Sequence, residues 1–225
     1  MAFKYENVVP WGRNFDEYTR MFDLQPNDLT KKIIGCGDGP ASFNAIANQS
    51  GGQVTSIDPI YILSKEEIEK RIEETYQTVI RQTAQNKEKF RWDQIRSVDE
   101  LGEIRMQAMR VFLADYEAGK KQGVYVPGSL PILPFPADAF ELALCSHFLF
   151  LYSENLSYRF HVESIQEMLR IAKEVRIFPL LDVNAKRSLH LAPLLKEFQH
   201  KNVEIRQVNY EFQIGGNEVL IIKAA

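Results

Sequence analysis

Two hydrophobic periods alternate along the 225 residues of the chain. Compact apolar runs at Ile33-Ile34, Val54 to Ile57, Gly123 to Val126, Phe140 to Cys145 and Val175 to Leu181 have the length of buried strands. Between them, apolar residues recur at the spacing of helices packed on one face. Phe15, Tyr18 and Phe22 predict a short amphipathic helix. Ala41 to Asn48 predicts a second, with Pro40 in its first turn and Gly51-Gly52 ending it. His161 to Lys173 and Ser188 to His200 predict two more, and Val203 to Phe212 with Glu218 to Ile222 predicts a closing hairpin around Gly215-Gly216. Such alternation implies an α/β sheet, mostly parallel, with an antiparallel ending.

One interval breaks the alternation. From Tyr61 to Gly123 the pattern is wholly helical, far more than one crossover needs. Ser64 with Glu67 and Ser97 with Glu100 are capping signatures. Ile68, Ile72, Tyr76, Val79 and Ile80 mark one apolar face, and Leu101, Ile104, Ala108, Val111 and Phe112 mark another. The stretch from Thr83 to Arg96, carrying Phe90 and Trp92, links them. Residues 62–122 read as a helical insertion and residues 1–29 as an N-terminal lid, both within a single domain spanning 1–225.

Composition adds exclusions. The net charge of -3 gives no broad basic surface, which disfavours nucleic acid as a partner. Cys36 and Cys145 are isolated thiols, fitting a reducing compartment better than a disulfide scaffold. Met1 to Asn7 lacks the charged and apolar parts of a secretory signal, and no apolar run is long enough to span a bilayer. A cytoplasmic protein with no membrane partner is expected.

The candidate chemistry lies at the first crossover. Gly35, Gly37 and Gly39 alternate in Gly35-Cys36-Gly37-Asp38-Gly39-Pro40, and Asp58 ends the next strand. Glycine lets the backbone turn tightly and lets a ligand approach without a Cβ in the way. An acid after the second strand can accept hydrogen bonds from two ribose hydroxyls. Pro40 stands where a dinucleotide fingerprint has its third glycine, which weighs against a nicotinamide or flavin enzyme. His147 follows a buried strand, where it can take a proton from an acceptor hydroxyl, line a ligand or bond a carbonyl. His161 reads as a helix cap or surface residue, and Cys145 as a buried inert thiol. Trp11, Arg13, Tyr18, Tyr61, Tyr76, Arg81, Tyr152 and Tyr158 are candidates for a lid and acceptor pocket.

These residues resemble the class I S-adenosylmethionine-dependent methyltransferase family. Three blocks carry the resemblance: Gly35 to Gly39 with Asp58, Leu133 to His147, and Glu167 to Lys173 followed by the strand from Val175. The strings GDGPASF and LCSHFLFLYS are further similar to an uncharacterised bacterial branch of that family. The resemblance implies a seven-stranded, mostly parallel Rossmann-like methyltransferase sheet, with helices on both faces, an antiparallel last strand and the insertion between strands 2 and 3. It also implies that Gly35, Cys36, Gly37 and Gly39 pass beneath the cofactor's methionine and ribose. Asp58 would hold the ribose, Pro59 or Ile60 would lie against the adenine, and Ser129, Leu130 and Ser146 would complete the site. Arg13, beside Trp11, is placed to pair the cofactor carboxylate.

Two positions depart from the family pattern. Ile33 stands where an acid often helps to hold the cofactor's ammonium, and Ser129 where an acid often receives the adenine amino group. Asp182 and Asn184 end the fifth strand, but Ser146 and His147 stand where a metal-dependent relative needs further oxygen ligands, so no metal is expected. The Asp/Asn-Pro-Pro-Tyr motif of adenine- or glutamine-nitrogen methylation is missing after the fourth strand. The expectation is a methyltransferase that uses S-adenosylmethionine, releases S-adenosylhomocysteine and acts on a small-molecule acceptor, with His147 as candidate base. The alternatives are a non-catalytic S-adenosylmethionine-binding protein and an RNA methyltransferase.

Overall fold

Period-two alternation sends neighbouring strand residues to opposite faces of a sheet, and here both faces are covered. In β1 (Lys32–Cys36), Ile33 packs on one side with Val54, Leu142 and Leu144, whereas Ile34 and Cys36 pack on the other with Ala143, Cys145 and Val175. The structure, a computed structural model, describes residues 9–224. Residues 1–8 of the expected lid lie outside them.

The remaining strands are β2 (Gln53–Ile57), β3 (Tyr125–Val126), β4 (Phe140–Ser146), β5 (Ala172–Phe178), β6 (Asn202–Gln207) and β7 (Glu218–Lys223). They form one seven-stranded sheet in the order β3-β2-β1-β4-β5-β7-β6. The pairs from β3 to β5 are parallel, and β7 runs antiparallel to both β5 and β6. A single reversed last strand is the arrangement that the methyltransferase resemblance implies. All the parallel strands therefore send their carboxyl ends to one edge.

Helices α1 (Phe15–Met21) and α2 (Phe43–Gln49) cover one face. Helices α5 (Tyr158–Ile171) and α6 (Leu191–Glu197) cover the other. Between β2 and β3 stand α3 (Lys65–Gln85) and α4 (Val98–Lys121). Both begin where the capping signatures lie: Glu67 N–H donates to Ser64 Oγ and Glu100 N–H to Ser97 Oγ. Their buried face joins Ile68, Ile72, Phe112 and Tyr116 to Tyr61 and Tyr125 at the sheet edge.

Several boundaries and the placement of one histidine differ from the sequence expectation. Helix α2 starts at Phe43, and Pro40 lies in the turn before it, with its carbonyl packed against Gly12. Strand β6 ends at Gln207, because Tyr210 and Phe212 leave the sheet to pack on α1 and on Phe90. His161 is fully buried rather than a cap or surface residue; its ring nitrogens lie 2.8 Å from the Ser157 carbonyl and 2.9 Å from that of Leu149. Among the described residues no helix is long and apolar enough to cross a membrane.

Candidate functional site

At the carboxyl edge of the parallel strands lies a cavity of about 360 Å³. This is where open α/β sheets bind ligands. Strand β1 runs into Gly37 and Gly39, whose φ angles of 73° and 53° belong to the left-handed region. A Cβ on Gly37 would meet the Phe148 ring at 3.1 Å. On Gly39 it would find nothing nearer than Asp58 Oδ2, at 4.0 Å, so this backbone is bare toward the cavity.

Asp58, following β2, clamps the turn. Its Oδ2 accepts the Gly39 N–H at 2.9 Å and its Oδ1 the Ile60 N–H at 2.8 Å. From the other side, the Tyr61 hydroxyl donates to the Gly39 carbonyl at 2.6 Å. Burial pushes the Asp58 carboxyl up to about 6, against the opposing pull of the two amides.

Asp38 turns back under the loop and accepts from the hydroxyls of Tyr18 and Ser56, each at 2.7 Å. Burial raises it to about 6, although both hydroxyls favour the charged form. Gly35 makes room for it, since a Cβ there would sit 1.7 Å from Asp38 Oδ2.

Strand β4 delivers Ser146 and His147. The His147 N–H donates to the Phe178 carbonyl at 2.6 Å, and its Nδ1 lies 2.9 Å from Ser146 Oγ. Burial, reinforced by the charges of Arg13 and Arg105, holds the imidazole well below its ordinary pKa. The ring is therefore neutral at neutral pH.

Three separated segments supply the roof: Trp11 and Arg13 before α1, Val79, Thr83, Leu101 and Arg105 from α3 and α4, and Tyr210, Phe212 and Gln213 after β6. They meet at Glu17, which accepts from Arg105 Nη1 at 2.6 Å and from the Tyr210 hydroxyl at 2.9 Å. Arg13 Nη1 donates to the Trp11 carbonyl at 2.8 Å.

No family model matches the chain. Over 219 residues it is 38% identical to the uncharacterised protein MJ0045 of Methanocaldococcus jannaschii, and the match covers 97% of each. The chain belongs to the family of that protein. The relative is archaeal and lends no support to the bacterial branch expected from the motifs. Among solved structures, magnesium protoporphyrin IX methyltransferase of Synechocystis PCC 6803, with bound SAM, is similar at a TM-score of 0.46 and 12% identity. That match covers 94% of this chain and 91% of the other. A SAM-dependent methyltransferase of Aquifex aeolicus scores 0.43 at 12% identity, covering 92% of both chains. Likeness at that level carries no inference about chemistry.

Within this family member, the cavity brings together Arg13, Gly37, Gly39, Asp58, Pro59, Ser129, Leu130, Ser146 and His147. Gly35 and Cys36 are not on its wall; Gly35 is under Asp38, and Cys36 is buried against the α5 and α6 face. Ile33 is a core residue of the opposite face. Trp11, Tyr18 and Tyr152 line the cavity, whereas Tyr61, Tyr76, Arg81 and Tyr158 do not. Asp182 is a turn cap, its Oδ1 accepting the N–H groups of Asn184 and Lys186.

Sequence reasoning missed Glu17, Asp38, Arg105 and Tyr210 as site residues. Arg105 had a signal: it interrupts the buried stripe of α4 between Leu101 and Met109, where a charge needs a partner.

Proposed function

We propose that the protein is an S-adenosylmethionine-dependent methyltransferase acting on a small-molecule acceptor. The bare Gly39 turn, clamped to the Asp58 carboxylate on the cavity wall, is the observation that carries this reading. Each Asp58 oxygen accepts one amide, which leaves a lone pair on each for a ribose hydroxyl. Gly37 and Gly39 would run beneath the methionine and ribose. Pro59, Ser129 and Leu130 would flank the adenine, Ser146 would face the methionine end, and Arg13 would take the cofactor carboxylate. When bound, the cofactor supplies a methyl group on a sulfonium sulfur, already activated for transfer, and leaves as S-adenosylhomocysteine.

The chain's own task is then to align the acceptor and keep out water. The apolar roof of Val79, Leu101 and Phe212 suits that task and favours a small acceptor over RNA. His147 can accept a proton at Nε2 when its Nδ1–H donates to Ser146 Oγ. The burial and guanidinium charges that keep the ring neutral also oppose its protonation. His147 therefore suits an acceptor that loses its proton late or not at all.

Calorimetric titration with S-adenosylhomocysteine tests the cofactor. Wild-type protein is expected to bind, and Asp58→Ala to bind at least about tenfold more weakly, a loss of about 1.4 kcal/mol. Unchanged affinity in the variant would remove Asp58 from the site. Transfer of labelled methyl groups to the small molecules of a cell extract tests the enzyme. Binding without transfer would leave a non-catalytic cofactor-binding protein.

A further inference from the structure

At the roof end of the cavity the protein leaves positive charge unbalanced. The Arg105 side chain is 0% exposed, and its Nη1 holds Glu17. Its Nε and Nη2 have no hydrogen-bond partner among the described residues. Arg13 Nε has none there either. Glu17 already accepts from Arg105, from the Asn14 N–H at 3.0 Å and from Tyr210, and His147 is neutral. Asp38 is held by the hydroxyls of Tyr18 and Ser56, and Asp58 by the amides of Gly39 and Ile60. Two guanidiniums therefore share one carboxylate. Buried charged donors without acceptors are costly. Arg105 belongs to the cavity wall, its two unpartnered atoms are covered in the free protein, and an acceptor arriving from outside would engage them as the roof shifts.

The free atoms also specify its shape. Nε–H and Nη2–H lie on one edge of the planar guanidinium and point the same way, a fork that matches the two oxygens of a carboxylate. Leu101, one turn before Arg105 on α4, lines the same cavity, as do Phe90 and Phe212. We propose that the methyl acceptor is a small carboxylic acid with an apolar body, its carboxylate held by the free Nε–Nη2 edge of Arg105. Calling this ligand the acceptor rests on the methyltransferase reading; the fork itself does not.

The test is calorimetric titration of the S-adenosylhomocysteine-saturated protein with benzoate, phenylacetate and hexanoate, each compared with its uncharged amide. At least one carboxylate is expected to bind about tenfold or more tightly than its amide. Arg105→Lys keeps a cation for Glu17 but lacks the fork, and it should abolish that preference. No preference in any pair would overturn the proposal, whether or not the variant folds. So would carboxylates that compete with S-adenosylhomocysteine, which would give the fork to the cofactor's own carboxylate. Phenyl phosphate binding about tenfold more tightly than benzoate would replace the carboxylate by a phosphoryl group. If S-adenosylhomocysteine does not bind at all, the methyltransferase reading falls. The same titrations on the free protein then still decide whether Arg105 takes a carboxylate.

Discussion

Gly35 is a glycine because of Asp38. The carboxylate fills the space where a side chain on Gly35 would stand, and the hydroxyls of Tyr18 and Ser56 hold it there. Gly35→Ala is therefore expected to cost about 1–3 kcal/mol in urea unfolding, as overpacking does. The cost should shrink in an Asp38→Ala background, with a coupling of at least about 0.5 kcal/mol. Equal costs in both backgrounds would place the clash elsewhere. Asp58 yields a second prediction at this scale. Its carboxyl titrates near 6, raised by burial, and only the ionised form offers both oxygens as acceptors. At pH 5 roughly a tenth of it stays ionised, so S-adenosylhomocysteine should bind about tenfold more weakly than at pH 7. Asp58→Asn should flatten that dependence; an unaltered slope would assign it to another group, Asp38 being the nearest candidate. Stability of the free protein moves the opposite way. With both carboxyls raised from 3.8 to about 6, the folded state binds more protons than the unfolded chain between about pH 4 and 6. The contribution of these groups to stability therefore grows as the pH falls through 6.

At the scale of elements, α1 and α4 are joined by one buried ion pair, Glu17 with Arg105. Glu17→Ala would strand a fully buried guanidinium and is expected to cost about 3–5 kcal/mol, measured by denaturant unfolding. Ser64→Ala, which removes only the cap of α3, should cost about 1 kcal/mol. Comparable losses would mean that the ion pair is not what ties α4 to α1. The two cases also show what the sequence makes legible. Caps are local, so Ser64 with Glu67 and Ser97 with Glu100 announce α3 and α4 within a few residues. The inward face of α4 was harder to read. Ile104 and Val111 are only half-buried, while Arg105 occupies the buried stripe, because its partner lies on a distant element. The end of β6 escaped for a similar reason. Val208 to Phe212 has strand-like composition, yet Phe212 stacks on Phe90 at 4.9 Å between ring centroids and Tyr210 reaches Glu17.

For the whole molecule, the floor and roof of the cavity come from different kinds of chain. The floor is the sheet edge, whose glycine turn and Asp58 are close in sequence and legible there as a motif. The roof joins residues as far apart as Glu17 and Tyr210, separated by 193 positions, and no local pattern announces such a meeting. Contacts of this kind form only when the segments before α1, in α4 and after β6 are all in place. The roof should accordingly open more easily than the floor in the free protein, and ligand should act on both. Hydrogen–deuterium exchange with S-adenosylhomocysteine is expected to slow the amides of residues 37–44 and 58–63. It should also slow residues 208–213 and the first turns of α4, since Arg13, Arg105 and Tyr210 wall the same cavity. Protection confined to the floor would show that the roof answers to the acceptor alone. In that case adding a carboxylate from the Arg105 titrations should be what protects it.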